Sequence, residues 1–330
     1  MAWKGRKVVV TGAAGFIGSH LVEELVGVGA KVTALVHYNA RTDFGHLRLL
    51  DPRILAQIEV VSGDIRDSFL VRSVVRGKAV VFHLAALIGI PYSYVAPQSY
   101  VDTNVMGTLN VLQACVAEGA ERLVHTSTSE VYGTARYVPI DEHHPLQGQS
   151  PYAATKIGAD KLIESFYLSF DTPVVTIRPF NTYGPRQSAR AVIPSILSQI
   201  ATGQAVLRLG SLNPVRDFTY VKDTARGFVA IAESSDTVGQ VINIGSGQGI
   251  TIRALVDACC EVANRHVDVV LDAPRVRPEK SEVMQLVCDS TKAATLANWA
   301  PTFTLKEGLS ETFRFIQSHP FLYDASRHTT

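Results

Sequence analysis

The stretch KVVVTGAAGFIG, residues 7–18, decides the fold of this chain. Residues 7–11 are mostly β-branched, as in a buried parallel strand. Gly12, Gly15 and Gly18 permit a tight turn and the close approach of a pyrophosphate, and the helix that follows directs amide donors and a positive dipole end toward it. Because the glycines stand between a strand and a helix, the stretch predicts a dinucleotide site rather than a plain tight turn.

Strands and helices alternate over the chain that follows this turn. Helical spacing of apolar residues covers 20–28, and helices are also predicted at 103–118 and 152–170. Further strands are predicted at 31–36, 59–62, 79–84, 122–126 and 174–178. This alternation predicts an α/β protein with a Rossmann-type, doubly wound parallel sheet.

The pattern weakens after Pro179, where prolines and glycines separate short elements. A strand at 241–244, a helix at 252–264 and a loop at 274–281 are predicted. We therefore expect a smaller, interleaved C-terminal substrate lobe. Residues 1–182 would form the dinucleotide-binding Rossmann domain, with 215–245 returning to it, and 183–214 and 246–330 would form the substrate-binding lobe.

Charge and composition exclude several classes of partner. Lys and Arg number 31 against 30 Asp and Glu, a net charge of +1, so the chain lacks the basic footprint of a nucleic-acid-binding protein. No apolar run reaches the ~20 residues of a membrane span. The four cysteines lack zinc-site spacing, and the N-terminus leads directly into a strand. We expect a soluble cytoplasmic protein with no metal, no membrane partner and no nucleic-acid partner.

The end of the second predicted strand should lie beside the adenosine ribose. An acidic residue commonly grips the ribose there, but this strand ends in Val36, His37, Tyr38 and Asn39. Asn39 is suited to bond a ribose hydroxyl, which favours NAD. Arg41 is suited to meet a 2′-phosphate, which leaves NADP possible. We expect NAD.

Tyr152 and Lys156 stand four residues apart in SPYAATK, which places them on one face of a helix. A neighbouring ammonium favours ionisation of a phenol whose ordinary pKa is ~10, so Tyr152 can act as a base toward a sugar hydroxyl. Glu130 adds a second titratable group, which would separate a dehydratase from a simple dehydrogenase. The structural alternatives are a helix surface pair for Tyr152 and Lys156, and a strand-end ion pair for Glu130.

Eight motifs that follow one another along the chain carry a family resemblance. They are TGAAGFIG, GDIRD, HLAA (83–86), NVMGT (104–108), TSTSEVYG (126–133), YAATK (152–156), RPFNTYGPRQ (178–187) and RDFTYVKD (216–223). With them the chain resembles the extended short-chain dehydrogenase/reductases that act on nucleotide sugars. ALIGIPYSYVAPQSYVDTNVMGTLNVLQA, RPFNTYGPRQSARAVIP and RVRPEKSEV are similar to the NAD-dependent 4,6-dehydratases of legionaminic acid biosynthesis, whose substrate is a nucleotide-linked N-acetylglucosamine.

The resemblance implies a redox-neutral reaction that ends in a 4-keto-6-deoxy sugar nucleotide. Tyr152 would take the 4-hydroxyl proton while NAD accepts the C4 hydride. Lys156 would lower the Tyr152 pKa, and Thr128 would bond the same sugar oxygen. Glu130 would remove the C5 proton, water would leave from C6, and the hydride would return to C6. Ser129 stands where related hexose dehydratases often have an Asp acid, so Glu130 or an ordered water would carry the proton to the leaving oxygen.

The resemblance also implies binding residues. The implied cofactor contacts, besides Tyr152 and Lys156, are Gly12, Gly15, Phe16, Ile17, Gly18, Asn39, Asp64, Ile65, Leu84, Ala85, Ala86, Asn104 and Thr126. The implied substrate contacts are Tyr92, Ser93, Thr128, Asn181, Arg190, Arg216 and Arg277, with Arg186 as a further candidate. Arg216 and Arg277 would meet the diphosphate. For Asp64 the alternative is a turn-capping carboxylate, and for His83 and His125 a satisfied core histidine is expected.

The implied partner is a nucleotide-sugar substrate, and a homodimer is expected through pairing of the helices at 103–118 and 152–170. Alternatives to the dehydratase remain. UDP-glucuronate decarboxylases also carry a Thr-Ser-Glu run, 4-epimerases usually lack the Glu, and a non-catalytic NAD-binding sensor would need none of Tyr152, Lys156 and Glu130.

Overall fold

The computed structural model describes residues 3–41, 43–272 and 278–323. Within them, the larger sheet has seven parallel strands. They are β1 (Lys7–Thr11), β2 (Lys31–His37), β3 (Glu59–Gly63), β4 (Val80–His83), β5 (Arg122–Thr126), β6 (Val174–Pro179) and β10 (Val241–Ile244). Their order is β10-β6-β5-β4-β1-β2-β3. The predicted doubly wound α/β fold is confirmed.

Helices cover both faces of this sheet. The longer ones are α1 (Phe16–Gly27), α3 (Ser68–Val75), α6 (Gly107–Glu118), α7 (Pro151–Phe170) and α9 (Val221–Glu233). The shorter ones are α2 (Pro52–Leu55), α4 (Ile90–Val95) and α5 (Pro97–Tyr100), with a π-helical turn at Val101–Met106 and 3₁₀ turns at Gly45–Leu49, Ser129–Tyr132 and Ser235–Thr237.

Alternate residues of β1 show why the sheet is buried on both faces. Val8 and Val10 pack in one apolar cluster with Leu21 of α1 and Phe228 of α9. Val9 packs in the opposite cluster, whose members come from α3, α6 and α7. Because successive strand side chains point to opposite faces, a strand enclosed by two helical layers must be apolar at every position.

The second half of the chain forms smaller sheets. These use β7 (Asn181–Tyr183), β8 (Val206–Leu209), β9 (Val215–Tyr220), β11 (Gly249–Thr251), β12 (Asp268–Leu271) and β13 (Gln285–Leu286). β9 is flanked by β11 and β13 and also pairs with β7, while β8 pairs with β12. The accompanying helices are α8 (Val192–Ala201), α10 (Ile252–Ala263), α11 (Thr291–Ala297) and α12 (Leu305–Ser318), with 3₁₀ turns at Glu279–Ser281 and Pro320–Leu322.

Residues 215–245 are therefore shared between the two sheet systems. Strand β10 adds to the edge of the large sheet beside β6, and α9 covers that sheet. Strand β9, in contrast, pairs within the smaller sheet. The division of the chain into a dinucleotide domain and a substrate lobe remains a prediction.

Helix boundaries follow local chemistry. Ser150 caps α7 by accepting from the amide of Ala153, and Pro151 occupies the first helical position. The helix predicted from residue 20 begins at Phe16 instead, because the turn glycines lead directly into it. The helix predicted from residue 103 begins with a π-helical turn at Val101, which places the buried Asn104 against its neighbours.

No described helix combines the length and apolar content needed to cross a bilayer. No group of three or more His, Cys, Asp and Glu residues suited to a metal occurs in the described part of the chain.

Candidate active site

The glycine turn after β1 is shaped by two close approaches. Gly12 has φ of +69°, and a Cβ on it would lie 2.8 Å from the amide nitrogen of Ala85. A Cβ on Gly18 would collide with the carbonyl oxygen of Gly12. Gly15 is the N-cap residue of α1 and has no side chain to cap the first turn. The amides of that turn therefore remain available to an anion such as a pyrophosphate.

Thr11 joins this turn to the end of β4. Its hydroxyl oxygen accepts from the amides of Leu84 and Ala85, both at 3.1 Å, and lies 2.9 Å from Nδ1 of His83. Nε2 of His83 lies 3.0 Å from the Thr108 hydroxyl. Burial lowers the pKa of His83 well below its usual value. His83 is thus a neutral, hydrogen-bonded core residue that connects two layers.

The predicted adenosine contacts are engaged within their own loops. Oδ1 of Asn39 accepts from the amides of Arg41 (3.1 Å) and Asp43 (2.9 Å), and its Nδ2 donates to the carbonyl of Asp43 at 2.8 Å. The Asp64 carboxylate receives both the backbone and the side chain of Arg66, which holds the Asp64 pKa at about 2. Asp64 therefore fits its alternative interpretation, the capping of a turn.

The side chain of Ile65 is buried against α6. A Cβ on Gly107 would lie 2.9 Å from Cγ2 of Ile65. Asn104 is also buried, and its amide bonds both backbone groups of Leu87 (2.8 and 3.0 Å) and the hydroxyl of Thr155 (3.1 Å). Both amide hydrogens of Asn104 are used within the protein. Asn104 thus fixes the segment at Leu87, and its contact with the cofactor stays a prediction.

Tyr152 and Lys156 meet the end of β5 in what we term the catalytic corner: residues 126–130 with Tyr152 and Lys156. Nζ of Lys156 donates to the carbonyl of Thr126 at 2.6 Å. The Tyr152 phenol is hydrogen-bonded to the side chain of Thr128, and the charge of Glu130 reaches it. The structure thus brings the five predicted catalytic residues to one place, with Ser129 buried between Thr128 and Glu130.

Electrostatics in the catalytic corner differ from the expectation in one respect. Burial raises the pKa of Tyr152 above its ordinary value, the Thr128 hydrogen bond opposes this rise, and Glu130 adds to it. The expected lowering by Lys156 is not seen: the groups that move the Tyr152 pKa, besides burial, are Thr128, Glu130, Tyr100 and Asp160. Burial lowers the pKa of Lys156 itself to about 8, against the opposing charge of Asp160. At neutral pH Lys156 still carries its proton.

The Ser129–Tyr132 turn orients Glu130. The Thr128 hydroxyl oxygen accepts from the Glu130 amide at 3.2 Å and caps this 3₁₀ turn. The cap fixes residues 128–130 as a unit at the end of β5. Glu130 itself is half-buried.

These residues fit a dinucleotide. The Thr126 hydroxyl is buried and has no hydrogen-bond partner within the described part of the chain. It sits at the same strand end whose carbonyl takes the Lys156 ammonium. A buried, unpartnered hydroxyl beside the catalytic pair is suited to the polar groups of a bound nicotinamide, and the glycine turn is suited to the pyrophosphate.

An aromatic row leads from the surface to Tyr152. The ring centroids of Tyr92 and Tyr100 are 6.2 Å apart, and those of Tyr100 and Tyr152 are 6.3 Å apart. Arg190 lies close enough for its charge to counter the rise that burial causes in the Tyr100 pKa. Ser93, in contrast, is buried and donates to the carbonyl of Ile90 at 2.6 Å. Its hydroxyl closes a turn of α4, and the contact of Ser93 with the sugar stays a prediction.

Two of the candidate substrate residues in the second half of the chain, Arg216 and Asn181, lie on neighbouring strands. Arg216 lies on β9, donates to Oε1 of Glu282 at 3.3 Å, and is buried. Asn181 on β7 donates to the carbonyl of Asp217 at 3.4 Å, so β7 and β9 hold the two residues on neighbouring strands. Arg277 lies outside the described residues.

Arg186 faces the other way. It adopts φ of +71° and forms a bidentate pair with Glu23 of α1 at 2.8 and 3.0 Å. Burial would raise the Glu23 pKa, but hydrogen bonds from His20 and Arg186 hold it at about 2. Arg186 therefore joins the segment after β7 to the cofactor-side helix, and its place in the substrate pocket stays a prediction.

The sequence reasoning missed the residues beneath the catalytic corner and beside the aromatic row. Asp160, Arg178 and Ser127 form a buried group under Lys156, and Tyr100 packs on Tyr152. One signal was present. Asp160 follows Lys156 by four residues, as Lys156 follows Tyr152, so all three share a helix face.

Comparison with known proteins gives concordant matches. The family model described as GDP-mannose 4,6 dehydratase matches residues 9–312. A dTDP-glucose 4,6-dehydratase of Actinoplanes sp. is 32% identical over 326 residues, which cover 95% of this chain and 98% of the relative.

Two solved structures extend the comparison. The dTDP-glucose 4,6-dehydratase DesIV from Streptomyces venezuelae, with NAD and TYD bound, has a TM-score of 0.83 at 29% identity, covering 96% of this chain and 99% of its own. The UDP-N-acetylglucosamine 4-epimerase from Methanobrevibacter ruminantium M1, in complex with UDP-N-acetylmuramic acid, has a TM-score of 0.87 at 31% identity, covering 96% and 99%. Dehydratases and epimerases are thus similarly close to this chain.

Proposed function

The chain belongs to the GDP-mannose 4,6 dehydratase family of extended short-chain dehydrogenase/reductases, NAD-dependent enzymes of nucleotide sugars, and from this we propose that it is a 4,6-dehydratase. Its substrate would be UDP- or GDP-N-acetylglucosamine, and its product the 4-keto-6-deoxy sugar nucleotide. The enzyme would thus be a hydro-lyase that supplies legionaminic acid biosynthesis, as the resemblance of its longer motifs suggests.

One observation carries the choice of dehydration. The Glu130 amide donates to the Thr128 hydroxyl, which caps the turn, and the charge of Glu130 raises the pKa of the Tyr152 phenol. An oxidation alone, or an epimerisation, requires a base at the 4-hydroxyl only. A carboxylate at this place supplies the second base that removal of the C5 proton demands.

The residues would act in sequence on the sugar. When held by the glycine turn and the catalytic corner, NAD would supply the acceptor for the C4 hydride and its donor to C6. Tyr152 accepts the 4-hydroxyl proton, assisted by the Thr128 hydroxyl and by the positive charge of Lys156. The ketone then acidifies the C5 proton, and Glu130 removes it. Residues 128–130 move little in these steps because the turn cap fixes them.

Departure of the C6 hydroxyl needs a proton donor. Ser129 is a far weaker acid than the Asp found in related hexose dehydratases. We assign this step to Glu130, which holds the proton just taken from C5 and passes it to the leaving oxygen, directly or through a water. The proton taken from C5 leaves with the C6 hydroxyl as water. When the hydride returns to C6, C5 takes up a proton in its place, and this balances the proton that Tyr152 accepted from the 4-hydroxyl.

Substrate recognition would rest on the second half of the chain. Arg216 and Arg277 would bind the diphosphate, since a guanidinium fork suits phosphate oxygens. Asn181, Tyr92 and Arg190 would contact the sugar or its nucleotide. A homodimer formed through α6 and α7 is also proposed, and its mass in light scattering would test it.

Mass spectrometry decides the reaction. Purified protein incubated with UDP- and GDP-N-acetylglucosamine should give a product lighter by one water, without net change in the cofactor. The variant Tyr152→Phe provides the blank. If neither substrate loses water while the protein is folded and NAD is bound, the proposed function is rejected.

The same experiment reads out the other reactions. Epimerases are as similar to this chain as dehydratases are, and Ser129 occupies the position at which many dehydratases have an acidic residue. Unchanged product mass with an altered sugar configuration would indicate a 4-epimerase. Carbon dioxide released from UDP-glucuronate would indicate a decarboxylase, and NAD binding without conversion of any of these substrates would indicate a sensor.

A further inference from the structure

Asp160 lies one helical turn beyond Lys156 on α7 and is only 5% exposed. Its Oδ2 accepts from the hydroxyl of Ser127 at 2.9 Å. Arg178 of β6 donates to the same oxygen from Nη2 at 2.9 Å and from Nε at 3.2 Å. A single buried carboxylate therefore joins α7, the end of β5 and β6.

Ser127 stands between the two contacts that define the catalytic pair. The carbonyl of Thr126, on one side, takes the Lys156 ammonium at 2.6 Å. The hydroxyl of Thr128, on the other side, meets the Tyr152 phenol. The Ser127 amide is fixed in addition by the carbonyl of Ile177 on β6 at 2.7 Å. Holding the Ser127 side chain therefore holds both neighbours in register with α7.

We propose that Asp160 is a positioning residue of the active site: it fixes Ser127 between the Lys156 and Tyr152 contacts and places a buried negative charge one helical turn from Lys156. The part that concerns turnover rests on the proposed function. The part that concerns Lys156 does not depend on any substrate.

Charges around Asp160 support an ionised carboxylate. Burial would raise its pKa, but the adjacent His125, Arg178 and Lys156 bring it below the ordinary value. Nε2 of His125 lies 3.3 Å from Oδ1 without the alignment of a hydrogen bond, and burial lowers the His125 pKa to about 4. Arg178 is the cation that donates two hydrogen bonds to Asp160.

Loss of the Asp160 charge would lower the pKa of both catalytic groups, Lys156 and Tyr152. Asp160 opposes the lowering of the Lys156 pKa by burial, and it adds to the raised pKa of Tyr152. Removing it would therefore let both groups lose their protons at lower pH. Several titratable and charged groups face Lys156, Tyr152 and Asp160. They are His83 of β4, Tyr100 of α5, His125 of β5, Glu130 and Tyr132 of the 3₁₀ turn, and Arg178 of β6.

The first test is Asp160→Asn in the full-length protein with bound NAD. The amide has the carboxylate's shape and still accepts from Ser127, but lacks its charge. We expect the whole pH profile of kcat to move to lower pH by about one unit, a change of about tenfold in each ionisation constant. Glu164→Gln, one turn further along α7 and exposed beside Lys161, removes the same charge and should leave the profile in place.

A second variant separates position from charge. Ser127→Ala removes the hydrogen bond to Asp160 and keeps the charge, so kcat should fall about tenfold with KM unchanged and the pH profile unmoved. This variant also covers the case in which Asp160→Asn fails to fold, since that change leaves Arg178 buried without its partner. Wild-type kcat in Ser127→Ala would overturn the positioning role.

A substrate-free measurement completes the test. The Lys156 pKa can be followed by NMR of ¹³C-labelled lysine, with the signal identified by its loss in Lys156→Met, and it should fall in Asp160→Asn but not in Glu164→Gln. An equal Lys156 pKa in both variants would overturn the charge role. Because no sugar is needed, a lowered Lys156 pKa in a protein that dehydrates no substrate would reject the proposed function and retain this inference.

Discussion

The catalytic corner and the substrate rim, by which we mean Tyr92 and Arg190, are built in opposite ways. Tyr152 is 7% exposed and is bonded to a strand end, whereas Tyr92 is 49% exposed. Arg190 is likewise exposed and extends from the segment after β7. Proton transfer requires atoms fixed within a fraction of an ångström, so its residues lie on packed elements. Groups that recognise a long, flexible nucleotide sugar can stand at the surface.

The largest effect should follow removal of the Tyr152 hydroxyl. Tyr152→Phe keeps the buried ring and removes the base, so kcat should fall by about 10³-fold, within the usual range for such a group. NAD should remain bound. Tyr137→Phe, at an exposed tyrosine away from the corner, is the control. A loss below tenfold in steady-state kinetics would mean that the buried corner is not where the base resides.

Glu130→Gln should have the next largest effect and should separate oxidation at C4 from the elimination of water. Loss of the carboxylate removes the C5 base, so water loss should slow by about 10²-fold. Oxidation at C4 should persist, because Tyr152 and Lys156 are intact. Rapid mixing should then show reduced nicotinamide accumulating in the near ultraviolet. Full turnover by this variant would remove Glu130 from the mechanism.

Arg216→Ala tests the buried part of recognition. A charge-assisted hydrogen bond contributes about 1.5–3 kcal/mol, so KM should rise about 10- to 100-fold while kcat changes little. Arg314→Ala, at an exposed arginine of α12, serves as the matched control. If KM stays at its wild-type value, Arg216 serves only its pair with Glu282.

Arg190→Ala should have the smallest effect. An exposed cation contributes at most about 1 kcal/mol and is screened by salt, so KM should rise about threefold, and less at high ionic strength. Steady-state kinetics at two salt concentrations would measure this. A greater loss than in Arg216→Ala would reverse the comparison and place most recognition at the rim.

The sequence was most informative where backbone and side-chain chemistry agree. The β-branched run before Gly12 and the apolar runs at 122–126 and 241–244 each became strands of the large sheet, with ends matching the predictions. Burial on both faces requires such apolar runs, so these strands can be recognised from the sequence alone. The π-helical start at Val101 was not, since it depends on the tertiary contacts of Asn104.

Polar residues of the site were less predictable. Asp64, Asn39 and Ser93 match the positions that the resemblance indicates, yet each is bonded within its own loop or helix. Short polar side chains satisfy nearby backbone as readily as a ligand, and the sequence does not distinguish the two. The ion pair of Arg186 was not predictable either, because its partner Glu23 lies far away in the chain.

The position of β10 in the large sheet has a consequence for synthesis on the ribosome. Strand β6 pairs with β5 on one side and with β10 on the other, yet β10 is translated only after β7, β8 and β9. Until then β6 is the exposed edge of a six-stranded sheet, and an exposed strand edge is a template for pairing with other chains. The nascent protein therefore reaches its last strand with an unprotected edge, which makes the interval between translation of β6 and β10 its period of greatest exposure to aggregation.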